Sequence, residues 1–324
     1  MRRSFRPLRL LVSLAILGSI VFAVFNWQNI YDWQRLRGWD PPAKIAQLAT
    51  DATMDAKARR LFYVQHPELN DKSSFNKNCT KSEQTIVLGC YINRQGIFLL
   101  NVTDQRLNGV EQVTAAHEML HAAYDRLSTA ERAKINDLLN QTYSKVSDKR
   151  IIETVDAYKK DGAEVSNELH SILGTEVRSL PPALETYYKK YFTNRVKVVS
   201  YSEQYQKAFS DNKAQADNIY NQIKTIEDQL NKLSDQIQSS ESNLNSEYQS
   251  LQNDRDTTAD ITGFNNRVDK YNSGVISLRN LINRYNSLAN KHNDLLKQYN
   301  LVALEETELL KAIDTRSTQA KTQR

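Results

Sequence analysis

The stretch Val110-Glu-Gln-Val-Thr-Ala-Ala-His117-Glu118-Met-Leu-His121-Ala-Ala-Tyr-Asp125 decides how the chain is read. Val110, Val113, His117, Leu120, His121 and Tyr124 recur every three or four residues, the period of a helix with one buried face. Two imidazoles four residues apart leave such a helix from one side and can share a metal ion, the H-E-x-x-H arrangement. Glu118 projects beside them, within reach of a proton on water held there. A solvated helix with incidental histidines explains poorly why both lie on the face carrying Val113, Leu120 and Tyr124. The reading is therefore a Zn²⁺ centre with His117 and His121 as ligands, Glu118 as general base, and a third protein ligand still to be found.

Working outward, Thr85 to Ile92 and Gly96 to Thr103 are β-branched or apolar runs joined by Asn93-Arg-Gln-Gly96, the pattern of a hairpin. Ala43 to Arg60 has helical spacing, Leu61-Phe-Tyr-Val64 is a short β-prone run stopped by Pro67, and Ser73 to Ser82 is polar and turn-like. Ser128-Thr-Ala-Glu131 is a capping box that opens a new helix. Arg150 to Lys160 and Ala163 to Leu173 are further helical stretches, split by Asp161-Gly162, and Pro181-Pro182 marks another break. The fold class expected is α+β: a small domain over 46–200, with active-site helices packed on a short β-hairpin or sheet.

Beyond residue 200 the sequence changes character. Ile219, Ile223, Ile226, Leu230, Leu233 and Ile237 alternate steps of four and three, and so do Phe264, Val268, Tyr271, Val275, Leu278 and Ile282. The polar stretch from Asn253 to Gly263 lies between the two seams. An antiparallel coiled-coil hairpin over 201–315, followed by a disordered tail over 316–324, is expected. His292 falls on a seam and is read as a packed polar residue. The hairpin is also the surface offered to a protein partner.

At the other end, Arg2, Arg3, Arg6 and Arg9 precede an apolar run from Leu10 to Phe25, with Trp27, Tyr31, Trp33 and Trp39 behind it. Basic residues before the span and aromatic residues after it predict a cytoplasmic N-terminus over 1–9 and a transmembrane signal-anchor over 10–27. A juxtamembrane linker over 28–45 leads to an exported domain. The alternative is a signal peptide cleaved near Val21-Phe22-Ala23, which releases a secreted protein. Export favours a disulfide between Cys79 and Cys90, the only two cysteines among 324 residues. The formal net charge of +5 is too weak to argue for nucleic acid, so no nucleic-acid partner is expected.

The chain resembles the zincin metallopeptidases, and their gluzincin branch most closely, over about residues 85–175. Ala116-His-Glu-Met-Leu-His-Ala-Ala-Tyr-Asp125 and Asn167-Glu168-Leu-His-Ser171 carry the resemblance. It implies Glu168 as the third ligand, Asn167 as a hydrogen-bonding support and Asp125 as a brace. It further implies a peptidase acting on a peptide or protein substrate through activated water. The strand Gly96 to Thr103 is expected to pair with an extended substrate. Tyr124 and Leu127 stand where metzincins carry a glycine and their third ligand. The interval of 47 residues from His121 to Glu168 is longer than in the families resembled, and Ile172 stands where an Asp often follows the ligand Glu. Among the residues themselves Glu164 and His170 also compete for the third place. Tyr124, Tyr158 and His170 are candidate donors to an oxyanion. Two further readings are a structural protein with a non-catalytic metal site and a zinc-dependent cell-wall amidase.

Overall fold

The computed structural model describes residues 6–79, 86–160 and 164–315. The N-terminal five residues, the start of the first β-run at Thr85, the Asp161-Gly162 break and the tail over 316–324 lie outside them. Helix α1 (Arg6–Leu36) is 31 residues long. Its stretch Leu11–Leu36 is apolar and long enough to cross a membrane, and none of the most apolar window is buried by protein. At 1.5 Å per residue α1 runs about 46 Å, well beyond a ~30 Å hydrocarbon core.

The surplus is used. Asp32, 3 % exposed, receives both terminal nitrogens of Arg126 at 2.8 and 2.9 Å, with Arg60 at 3.5 Å. Arg35 donates to the Val64 carbonyl, the His66 ring meets the Arg35 carbonyl at 2.7 Å, and Trp39 stacks on His66. Residues 28–36, expected in a linker, thus continue α1 and dock on the folded unit that follows.

Two short helices come next, α2 (Ala43–Asp51) and α3 (Ala56–Val64). Leu61-Phe-Tyr-Val64, expected as a β-run, is the last turn of α3. The Asp55 side chain caps that helix at the Ala58 amide, and Ala58, Leu61 and Phe62 share the buried face. A cap and a three-to-four-residue period outweigh the β-preference of the individual side chains. Strand β1 (Glu68–Asn70) leads to α4 (Lys72–Asn78), where only turns were expected. Asp71 caps α4 at the Ser74 amide, and Phe75 anchors its inner side. Strands β2 (Gly89–Ile92) and β3 (Gly96–Leu100) form the expected hairpin. The sheet order is β1-β3-β2, with β1 parallel and β2 antiparallel to β3. The run expected to receive substrate, Gly96 to Thr103, is therefore the central strand, with both edges taken. Among the described residues β1 and β2 are the two edge strands. Cys79, just after α4, is disulfide-bonded to Cys90 in β2.

Helix α5 (Val110–Asp125) carries the H-E-x-x-H residues. Then come α6 (Thr129–Tyr143), opened by the Ser128/Glu131 capping box, and α7 (Lys149–Lys160), α8 (Val165–Glu176) and α9 (Pro182–Tyr188). One apolar core joins Ile45, Phe62, Ile97, Leu99, Met119, Leu120, Leu139, Val155, Leu173 and Tyr188. The architecture is α+β in the broad sense, mostly helical with one small sheet.

Two long helices complete the described chain, α10 (Arg195–Asp254) and α11 (Ile261–Ile313). The chain divides into two compact units, Met1–Ala208 with Leu310–Arg324, and Phe209–Leu309. In the first unit, Lys72 donates to the Lys311 and Asp314 carbonyls and Asn76 to the Thr315 carbonyl, which satisfies the end of α11. In the second, α10 and α11 run antiparallel. Asn212 bonds the Val302 carbonyl, His292 meets Glu227 at 3.3 Å, and Arg267 bonds Glu247, Ser250 and Asp254. Ile219, Ile223, Ile226, Leu295 and Val302 form its apolar seam.

Candidate metal centre

Helix α5 is buried along almost its whole length, with β2 and β3 on one flank and α8 on the other. The approach of α8 depends on Gly174, where a Cβ would lie 2.6 Å from Leu120 and 2.8 Å from Tyr188. Ser171 then donates to the His117 carbonyl, pinning α8 one turn further back. Arg195 holds the other end of α8 by donating to the Val177 and Arg178 carbonyls.

That packing brings Glu168 over the two imidazoles. Its Oε2 lies 3.7 Å from Nε2 of His117 and 3.6 Å from Nε2 of His121. The two rings are 4.7 Å apart, set edge to face. His121 Nδ1 is 2.9 Å from the Asn167 side-chain oxygen, so Nδ1–H donates there and the Nε2 lone pair faces Glu168. Three electron-pair donors thus converge on one point. Four-coordinate zinc, with bonds of about 2.0–2.2 Å, sets its ligand atoms about 3.3–3.6 Å apart, so these residues fit a metal ion of that kind.

Glu118 belongs to the same cluster, for the ligand atoms of His117, Glu118 and His121 all lie within 4.8 Å of one another. Its carboxylate rests against the backbone of β2. A Cβ on Gly89 would sit 2.9 Å from Glu118 Oε1 and 2.5 Å from the Thr114 methyl group. Gly89 is therefore what lets the strand and the carboxylate share one small space. Glu118 is 5 % exposed. Glu168 thus meets tetrahedral ligand spacing, and Glu118 lies in the same cluster.

The other candidates have partners of their own. Glu164, before the first turn of α8, has a half-exposed side chain 3.9 Å from Arg132. His170 is fully buried, its Nε2 on the Tyr187 hydroxyl and its ring among Tyr124, Tyr188 and Tyr191. Burial, with His121 and His117 nearby, pushes its pKa down to about 3, so it is a neutral packing residue. Tyr124 gives its hydroxyl to Asn136, and burial raises its pKa. Asp125 ends α5 beside Arg132 at 3.7 Å, and after burial it is the main cause holding the Tyr91 phenol protonated. Tyr158 packs half-buried against the core.

Gly89, Ser171 and Gly174 were not singled out from the sequence. A glycine inside an otherwise apolar β-run signals close backbone approach and marks Gly89; nothing local marks the other two. No protein-family profile, no curated protein and no solved structure matches this chain.

Proposed function

We propose that the chain is a membrane-anchored zinc metallopeptidase of zincin type, working outside the cytoplasm. The observation that carries this reading is the convergence of His117, His121 and Glu168 at 3.6–3.7 Å with Glu118 held beside them. In it His117, His121 and Glu168 hold the ion, and Asn167 fixes the tautomer and direction of His121. Zinc bound there would polarise the scissile carbonyl and lower the pKa of water to about 7. Glu118 accepts the proton of the attacking water and delivers it to the leaving amine, so the peptide C–N bond is replaced by a carboxyl group and a free amine. Gly89 keeps that carboxylate in place. A purely structural metal site has no use for an acid at position 118, which favours catalysis over the structural reading.

The α10–α11 pair is a coiled-coil arm in this reading, offered to a protein partner. Helix α1 is its signal-anchor, with the arginines at 2, 3, 6 and 9 on the cytoplasmic side. The test is metal analysis of the purified chain together with cleavage of a peptide library. About one zinc per chain is expected in wild type and none in the His117→Ala, His121→Ala double variant. Full occupancy of that variant would sink the assignment.

A further inference from the structure

The catalytic cluster and the membrane-facing end of α1 are joined by one strand. Gly89 of β2 touches Glu118, and five residues on, Arg94 at the hairpin tip places its guanidinium 5.9 Å from the centre of the Trp27 ring. Asn93, Arg94 and Gln95 are all exposed, and Arg94 holds the tip with a positive φ of 64°. Strand β2 thus runs beside the outer turns of α1. The arrangement is clamped by the bidentate Asp32–Arg126 pair, its carboxylate buried, which ties α1 to the residue that ends the H-E-x-x-H helix.

Trp27 is the first aromatic residue beyond the apolar run, the position at which indole rings settle among lipid headgroups. An arginine stacked on that ring, at an exposed turn, lies at the same level and matches anionic headgroups in charge. From Arg94 to Gly89, beside Glu118, the chain takes five residue steps, at most about 17 Å at 3.3 Å per residue. This inference rests on the peptidase and anchor readings above. We propose that the β2–β3 tip rests on the lipid surface, and that the substrate is the membrane-proximal stretch of another membrane-anchored polypeptide. A chain paired along β2, an edge strand of the sheet, would run from the headgroups to the metal centre, and an extended strand covers that height in about five residues. The bond cut then lies roughly five to eight residues from the lipid. A flexible tether would let the cluster reach higher targets, but a bidentate ion pair on a buried carboxylate does not act as one.

Two arms test this on the full chain in phosphatidylcholine–phosphatidylglycerol vesicles. A nitroxide on Gln95→Cys, the one free thiol in that variant, should report headgroup depth in oxygen and nickel-chelate accessibility. Water-like accessibility would overturn the docking surface. The second arm uses a lipid-anchored peptide bearing two copies of one cleavable library sequence, about five and about thirty residues from the anchor. The proximal copy should be cut at least about ten times faster. Equal cutting, or cutting of the distal copy alone, would overturn the substrate class while leaving the peptidase reading intact. If no library sequence is cut by the zinc-loaded chain, the peptidase reading falls and the substrate class with it. The nitroxide still decides whether the tip meets the lipid.

Discussion

Gly89→Ala isolates the contact between strand and base. The added methyl would meet the Thr114 Cγ2 at 2.5 Å and Glu118 Cγ and Oε1 at 2.9 Å each. Carbon atoms pack at about 3.5–4.0 Å, so β2 and α5 must part by about 1 Å at Thr114. Overpacking of this kind costs about 1–3 kcal/mol. At about 2–4 °C per kcal/mol for a domain of this size, Tm should fall by about 2–12 °C. A displacement of Glu118 by about 1 Å should also lower hydrolysis about a hundredfold. The second variant, Gly89→Ala with Thr114→Ser, removes the offending methyl and keeps the hydroxyl that bonds the Val110 carbonyl. It should recover part of the Tm, with a coupling of at least about 0.5 kcal/mol, while hydrolysis stays low because the Glu118 contact remains. Thermal unfolding and turnover of the four proteins in the cycle supply the data. Unchanged Tm and turnover in Gly89→Ala would refute the claim that this glycine makes room for the base.

Asn167→Ala should keep the fold but weaken zinc binding about 10–100-fold, since His121 loses the acceptor on its Nδ1; competition with a chelator measures this. Asp32→Ala removes the bidentate partner of the partly buried Arg126 and should cost about 1–3 kcal/mol in denaturant unfolding. Adding Arg126→Met should recover much of that loss. Replacing Cys79 and Cys90 by serine opens a loop of sequence separation 11 and should cost about 3 kcal/mol in the chain-entropy account. Equal denaturation midpoints with and without the bond would count against it.

The H-E-x-x-H cluster was legible because its geometry is local: four residues on one helix fix which side chains meet. The capping box at Ser128 and the β2–β3 hairpin were legible for the same reason. The last turn of α3, and α4 as a whole, were misread because their caps, Asp55 and Asp71, decide them more than the side chains within. Strand order was beyond reach. Nothing near Gly96 announces that Glu68–Asn70 will pair with β3 and leave β2 at the edge. The nearness of Glu168 to the imidazoles depends on Gly174 packing against Leu120, a contact across more than fifty residues. Asp32 gave only a weak hint, one acid among aromatic residues past an apolar span, and its partner lies 94 residues away.

Hydrolysis by Glu118→Gln tests the central claim most directly. The amide keeps the size of the side chain and leaves His117, His121 and Glu168 untouched, so the zinc content of the purified variant should equal that of wild type. It cannot accept a proton, and turnover of any library peptide that wild type cuts should fall by about 10²–10⁴. A zinc-loaded Glu118→Gln protein that hydrolyses the same peptide at the wild-type rate would contradict the account.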